Sequence, residues 1–223
     1  MSENRKFSVL MSVYVKENPA FLEEAVESIL HQTLKPSEVV IVEDGPLTPE
    51  LYQVLEKLEA QSSIPIKRCP LVQNRGLGLA LQFGVLQCQY NVIARMDTDD
   101  IAVEDRFEQQ FELMEKENLD LLGGHIAEFI DQPDEIVSYR RVPIKHEDIV
   151  AYQRMRSAFN HMTVMFNKEM VLKAGNYEDG LYMEDDLLWL NMISAGARTG
   201  NVDQILCKVR VGAGMFERRG GLR

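Results

Sequence analysis

The first hundred residues repeat one pattern: a short, largely apolar run, a longer amphipathic stretch, then another apolar run. FSVLMSVY at 7–14, EVVIVE at 38–43 and NVIARM at 91–96 are too short for helices and too uniformly apolar for strands with one wet face. Between the first two, residues 19–32 place Phe21, Leu22, Ala25, Val26, Ile29 and Leu30 on one helical face, with Glu23, Glu24 and Glu27 outside. Pro19 at the first turn and acids early in the segment suit a helix start. A helix over 48–60, a strand over 64–69 and a helix over 76–87 continue the alternation. Strands and helices alternating at this spacing need crossover connections, which predicts an α/β fold with a mostly parallel central sheet flanked by helices. Beyond residue 103 the pattern loosens. We read helices at 103–117, 168–174 and 185–195, strands at 119–129, 161–166 and 205–211, and a polar loop at 131–135. No repeat, low-complexity tract or linker divides the chain, so a single domain is expected.

Composition narrows the class. A chain of 223 residues with 45% hydrophobic content can bury a sizeable core. Its net charge of −11 argues against non-specific nucleic-acid binding. No apolar stretch approaches the roughly 20 residues that span a bilayer, and the polar start MSENRK does not read as a signal peptide. Cys69, Cys88 and Cys207 are odd in number and widely spaced, which fits reduced thiols in a cytoplasmic protein.

Chemistry gathers at the strand ends, where open α/β sheets bind ligands. The third run leads into Arg95-Met96-Asp97-Thr98-Asp99-Asp100, three carboxylates with nothing basic after Arg95. Such a set suits a hard divalent cation shared with a phosphorylated substrate; an acidic turn capping the next helix is the plainer alternative. Glu43-Asp44-Gly45 closes the second run on the same rim as Tyr14. Its carboxylates could accept hydrogen bonds from a base or ribose, or merely make an Asp-Gly turn. Asn74-Arg75-Gly76 opens a helix, whose free N–H groups attract anions, although Asn is also an ordinary cap. A second acidic cluster, Glu184-Asp185-Asp186, precedes the apolar run Leu187 to Leu190. It either complements a helix dipole or supplies a general base, a role carboxylates fill when no suitable His is near.

Taken together these segments resemble glycosyltransferase family 2. The resemblance rests on VLMSVY at 9–14, SILHQT at 28–33 before EVVIVEDG at 38–45, NRG at 74–76, ARMDTDD at 94–100, NHMTVMF at 160–166, GNY at 175–177 and EDDLLW at 184–189. Order and spacing agree over nearly the whole chain. The resemblance implies a GT-A fold, Rossmann-like and mixed, with a nucleotide-binding half at 1–100, an acceptor-binding half at 101–211 and a C-terminal loop at 212–223. It implies that Tyr14, Glu43 and Asp44 hold the nucleoside, most often uridine, and that Asp97, Thr98 and Asp99 form the DXD motif. In that motif Asp97 and Asp99 would hold Mn²⁺ or Mg²⁺. Asn74, Arg75, Gly76, Arg95 and His161 would line the donor site, with Asp100 beside it. Asp185 matches the catalytic base, with Glu184 as its neighbour. Arg218 and Arg219 fall where a C-terminal loop closes over the diphosphate; an exposed basic tail is the alternative. For His161 the alternative is a satisfied strand-end histidine.

The activity implied is inverting transfer of a sugar from a nucleotide-diphosphate donor, with a UDP-sugar favoured. The acceptor would be a hydroxyl of a glycan or lipid-linked acceptor, in bacterial surface-polysaccharide assembly, with peripheral contact at the inner face of the plasma membrane. The processive signature Gln-x-x-Arg-Trp is absent, since the single Trp is Trp189, which favours single additions. Glu43 stands where the family often has Asp. Relatives commonly continue with helical sequence where this chain stops. Two other classes stay open: a GT-A domain that binds a sugar nucleotide or glycan without transferring it, and a nucleotidyltransferase. The latter is expected to carry a Gly-rich basic loop after the first strand, where this chain has SVYVKEN at 12–18.

Overall fold

Alternate side chains of the first strands are claimed by opposite layers, which makes a helix–sheet–helix stack. In β1 (Phe7–Val13), Phe7, Val9, Met11 and Val13 join one core while Leu10 joins the other; in β2 (Glu38–Glu43), Val39 and Ile41 face the first core, Val40 and Val42 the second. Both faces are covered, so these strands read as unbroken apolar runs. This computed structural model describes residues 5–179 and 183–212.

The first core is closed by α1 (Pro19–Leu30), α2 (Pro49–Gln61) and α4 (Arg106–Glu117). Asn18 caps α1 through its side chain and Thr48 caps α2, each followed by a proline whose missing N–H costs nothing there. The second core lies under α3 (Leu77–Gln87), α6 (Lys168–Lys173) and α7 (Glu184–Ser194). α3 comes so close to the sheet that a Cβ at Gly84 would lie 2.4 Å from Leu10 Cδ1.

The remaining strands are β3 (Ile66–Pro70), β4 (Val92–Arg95), β5 (Ile101–Ala102), β6 (Leu121–Phe129), β7 (Ile136–Arg140), β8 (Met165–Asn167) and β9 (Thr199–Arg210). Their order is β3-β2-β1-β4-β8-β6-β9-β5, with β7 on the side of β6. The pairs among β1 to β4, and β6 with β9, are parallel; β8, β5 and β7 pair antiparallel. By paired residues the sheet is mostly parallel, as expected.

Departures from the sequence reading fall after residue 100. β5 is not anticipated by the sequence reading, because its two residues are too few to show a period. β7 and α5 (His146–Gln153) are largely exposed: α5 buries only Ile149 and Gln153, so neither carries a strong apolar rhythm. The strand expected at 161–166 is a 3-10 turn, His161–Thr163, followed by the short β8. The last strand begins at Thr199, six residues early. Its polar first half is held by Asn201, whose side chain accepts the Gly123 N–H (2.9 Å) and donates to the carbonyls of Pro143 and Ala158.

Candidate active site

The register of the parallel strands brings the expected rim together. Val13 pairs with Glu43 and Leu10 with Arg95, and the N–H of Met96 reaches the carbonyl of Leu10 at 3.1 Å. Tyr14, Glu43, Asp44 and the acidic triplet therefore share one edge of the sheet. Glu43 is buried and accepts from Arg68 Nε at 2.5 Å. Asp44 turns its carboxylate onto the start of α3, accepting from the N–H groups of Arg75 (2.7 Å) and Gly76 (3.0 Å), while Asn74 Nδ2 donates to its carbonyl. The anion at this helix start is thus the chain's own Asp44. The N–H groups expected to draw a phosphate are engaged by it, because a carboxylate one strand away is already in place. Gly45, at φ +86°, permits this closure: a Cβ there would lie 2.6 Å from the backbone nitrogen of Asn74.

Asp97, Asp99 and Asp100 each bring a carboxylate oxygen within 4.8 Å of the others. The triplet is not left uncompensated, as the sequence suggested. Arg95, almost wholly buried, pairs through Nη2 with Asp97, and its Nε and Nη1 have no partner among the described protein atoms. Asp100 is buried and accepts the Arg210 N–H at 3.0 Å. Burial, with Asp97 and Asp99 close by, pushes its carboxyl well above the usual range. Thr98 faces inward, its hydroxyl donating to Glu17 at 2.6 Å. The middle residue of the motif therefore anchors the turn, because the strand end directs its side chain to the core.

Arg106 escaped the sequence reading. Fully buried in α4, it donates to the Arg95 carbonyl (2.7 Å) and Gln110 (2.9 Å) and faces the sulfurs of Met96 and Cys207. Its signal is positional: it occurs with Phe107, Gln110, Phe111 and Met114 on the inward face of its helix. Two buried guanidinium groups thus underlie three carboxylates. The set of oxygens, their spacing and the raised Asp100 carboxyl all fit a hard divalent cation.

The second cluster sits at the start of α7, with Asp185 four residues before the buried Trp189 on the inward face. The Asp185 side chain keeps about a fifth of its surface (21%) and its carboxyl is pushed up to about 6, by burial first and then by Asp186 and Glu184, against the pull of Arg95. Arg95 is thus felt by both acidic clusters. Asp185 Oδ2 lies 3.8 Å from His161 Nδ1, and His161 Nε2 lies 3.0 Å from the Tyr177 hydroxyl. Burial, then Arg95, lowers His161 well below its ordinary range, so it is neutral. Glu184 packs on α3, where a Cβ at Gly78 would lie 3.0 Å from its Cβ, and Asp186 accepts from Gln153 Nε2 at 2.7 Å. Tyr177 had been noted in a motif without a role. Arg218 and Arg219 lie outside the described residues.

Comparison with known proteins places this geometry. Residues 8–177 match the model of the glycosyl transferase family 2. The amylovoran biosynthesis glycosyltransferase AmsE of Erwinia amylovora is 43% identical, the match covering 96% of this chain and 80% of that protein. A UDP-Gal:alpha-D-GlcNAc-diphosphoundecaprenol beta-1,3-galactosyltransferase of Escherichia coli is 37% identical over 98% of this chain and 78% of that protein. Among solved structures, S. aureus TarS 1–349 superposes with a TM-score of 0.71 at 18% identity, covering 92% of this chain and 60% of that one. The mannosyltransferase PcManGT from Pyrobaculum calidifontis, in complex with GDP-Man and Mn²⁺, gives 0.70 at 15% identity, covering 93% and 57%. This chain therefore spans less than two thirds of either structure. At those identities the likeness establishes the fold, which is GT-A.

Proposed function

The chain belongs to glycosyl transferase family 2, and from that membership we propose an inverting transferase that moves a sugar from a UDP-sugar to a hydroxyl of a lipid-linked glycan during surface-polysaccharide assembly. The observation that carries the reading is the pair of acidic clusters, one at the strand ends and one at α7, joined through the charge of Arg95. Such a division separates holding the donor from taking the acceptor's proton. The donor class is supported by S. aureus TarS 1–349, solved in complex with UDP-GlcNAc, and the acceptor class by the E. coli relative's diphosphoundecaprenol substrate.

In this reading Tyr14, Glu43 and Asp44 receive the nucleoside at the ends of β1 and β2, with Asn74, Arg75 and Gly76 fixing Asp44. Asp97 and Asp99, with Asp100 beside them, would hold Mn²⁺ or Mg²⁺, which when bound offsets negative charge on the diphosphate. Arg95 keeps Asp97 in place. The acceptor oxygen attacks the anomeric carbon from the face opposite the diphosphate. Its proton passes to Asp185, and the bond to the diphosphate oxygen breaks, releasing the nucleoside diphosphate and inverting the centre. A base whose carboxyl stands near 6 is mostly ionised at neutral pH yet still basic enough to accept a proton. Arg218 and Arg219, outside the described residues, would supply positive charge to the diphosphate. No helix among the described residues is long and apolar enough to cross a membrane; we propose peripheral contact at the inner membrane face.

Asp185→Asn tests the assignment: transfer is expected to fall by roughly 10²–10⁴-fold, with binding of UDP-sugar and Mn²⁺ retained in calorimetry. Normal turnover by this variant would remove Asp185 from the chemistry. A thermal-shift screen of sugar nucleotides with and without Mn²⁺ checks the donor and the cation together. Tight donor binding with neither transfer nor hydrolysis would favour a binding domain without catalysis.

A further inference from the structure

Resting on the proposed role of Asp185, we infer that Tyr177 and His161 form a positioning relay, in which the Tyr177 hydroxyl fixes one histidine tautomer so that Nδ1–H is presented to the base. The geometry begins at Asn176, held at φ +66°. Its side-chain oxygen accepts the Tyr177 N–H (2.8 Å) and its Nδ2 donates to the Gln82 carbonyl, while Gln82 Nε2 donates to the Tyr177 carbonyl at 2.6 Å. The Tyr177 backbone is therefore clamped to α3 on both sides. Its buried ring then aims the hydroxyl at His161 Nε2, 3.0 Å away.

Elementary donor accounting selects the tautomer. A neutral imidazole has one N–H and one lone pair, and a phenol is an effective donor. Burial raises the Tyr177 hydroxyl far above its ordinary value, so it keeps its proton, and His161 is neutral. If Tyr177 donates to Nε2, the ring proton must sit on Nδ1, which faces Asp185 Oδ2 at 3.8 Å. The reverse tautomer would turn a lone pair toward a carboxylate. At 3.8 Å this is not yet a hydrogen bond, and a displacement of under an ångström by Asp185 would make it one; catalytic hydrogen bonds are often long before substrate binds. Trp189, from the same helix as Asp185, packs edge-on against His161 (5.9 Å) and Tyr177 (6.2 Å), so both rings rest against the helix that carries Asp185. Among the described residues, the charged groups around Asp185 are Glu184 and Asp186 of its own helix and Arg95 of β4; His161 and Tyr177 bring neutral groups. A neutral N–H donor favours the ionised carboxylate, opposing burial.

The first test uses the full metal-free chain with ¹⁵N-labelled histidine. NMR should show His161 as the Nδ1–H tautomer with Nε2 an acceptor, and Tyr177→Phe, which keeps the ring, should release it into a tautomer mixture. An Nε2–H tautomer in the unaltered protein would overturn the inference. In the second test, Tyr177→Phe should lower kcat roughly 2- to 10-fold, the scale of one hydrogen bond. It should move the acid limb of the pH profile to higher pH and leave the donor KM unchanged. His161→Asn, whose amide can place an N–H near the Nδ1 position, should recover most of what His161→Ala loses. In that background Tyr177→Phe should cost nothing further; an equal loss there would mean the hydroxyl does not act through His161 and would overturn the relay. An inactive Asp185→Asn beside a Tyr177→Phe with unaltered kcat and pH profile sinks the relay alone, whereas an active Asp185→Asn sinks the base assignment beneath it.

Discussion

The strand-end rim and the α7 acid cluster are held in place by different means. On the rim most polar groups have a partner of opposite character: Glu43 has Arg68, Asp44 has two backbone N–H groups, Asp97 has Arg95, and Thr98 has Glu17. Asp100 is the exception, since burial beside Asp97 and Asp99 outweighs the Arg210 N–H it accepts. At α7, Asp185 has neighbouring like charges, a neutral imidazole at 3.8 Å and a wall of aromatic rings. The rim is organised chiefly by charge and hydrogen bonds, Asp185 by packing. The proposed division of labour fits that contrast: a carboxylate raised by burial is suited to accepting a proton.

The contrast can be broken hardest at Arg95, whose charge is felt at both clusters. Arg95→Met should destabilise the fold, by less than the roughly 3–5 kcal/mol of a fully buried pair because Asp97 is partly solvated, and weaken metal-supported UDP binding as well as transfer. Chemical denaturation and calorimetry would check it; loss of transfer alone would mean the rim does not depend on this charge. Asp185→Asn should do the opposite to stability. Its folded carboxyl is raised to about 6 from 3.8, so the cost is absent below the unfolded value and grows as pH rises through 6. The variant should therefore be more stable than the parent at pH 8, by about 3 kcal/mol at most since the group is partly solvated, with the advantage gone by pH 4. Equal melting temperatures at both pH values would refute burial as the source of the shift. The smallest effect belongs to Thr98→Val, which removes one hydrogen bond to Glu17. A loss of roughly 1 kcal/mol is expected, with UDP and Mn²⁺ affinity unchanged; a marked fall in affinity would restore Thr98 as a donor contact.

What could be read in advance follows the same divide. β1, β2 and β4 are covered on both faces, so their apolar runs announce them, and the carboxylates that follow are legible as strand-end chemistry. Asp185 was legible too, as an acid ahead of a buried helical face. Partners were not. That Arg95 neutralises Asp97 depends on where its side chain packs at the strand end, and Arg106 reaches the Arg95 carbonyl from α4. The early half of β9 hides because Asn201 supplies hydrogen bonds that no apolar period reports. His161 and Tyr177 are sixteen residues apart and meet only because Asn176 and Gln82 tie the second to α3.

The sheet order has a consequence for how sequences of this kind can vary. β4 and β5 are separated in the chain only by residues 96–100, yet β8, β6 and β9 lie between them in the sheet. In a flat sheet β4 and β5 would stand four strand spacings apart, about 19 Å, which six fully extended Cα steps would only just span; residues 96–100 bend instead, so the far end of the sheet curls toward β4. The acidic turn is the seam of that curl, fastened by the Asp100 carboxylate on the Arg210 N–H. A change of length there would shift the three carboxylates relative to one another and to Arg95, whereas the exposed stretch around 131–135 can lengthen without disturbing either. Length polymorphism should therefore be absent from the first segment and concentrated in the second.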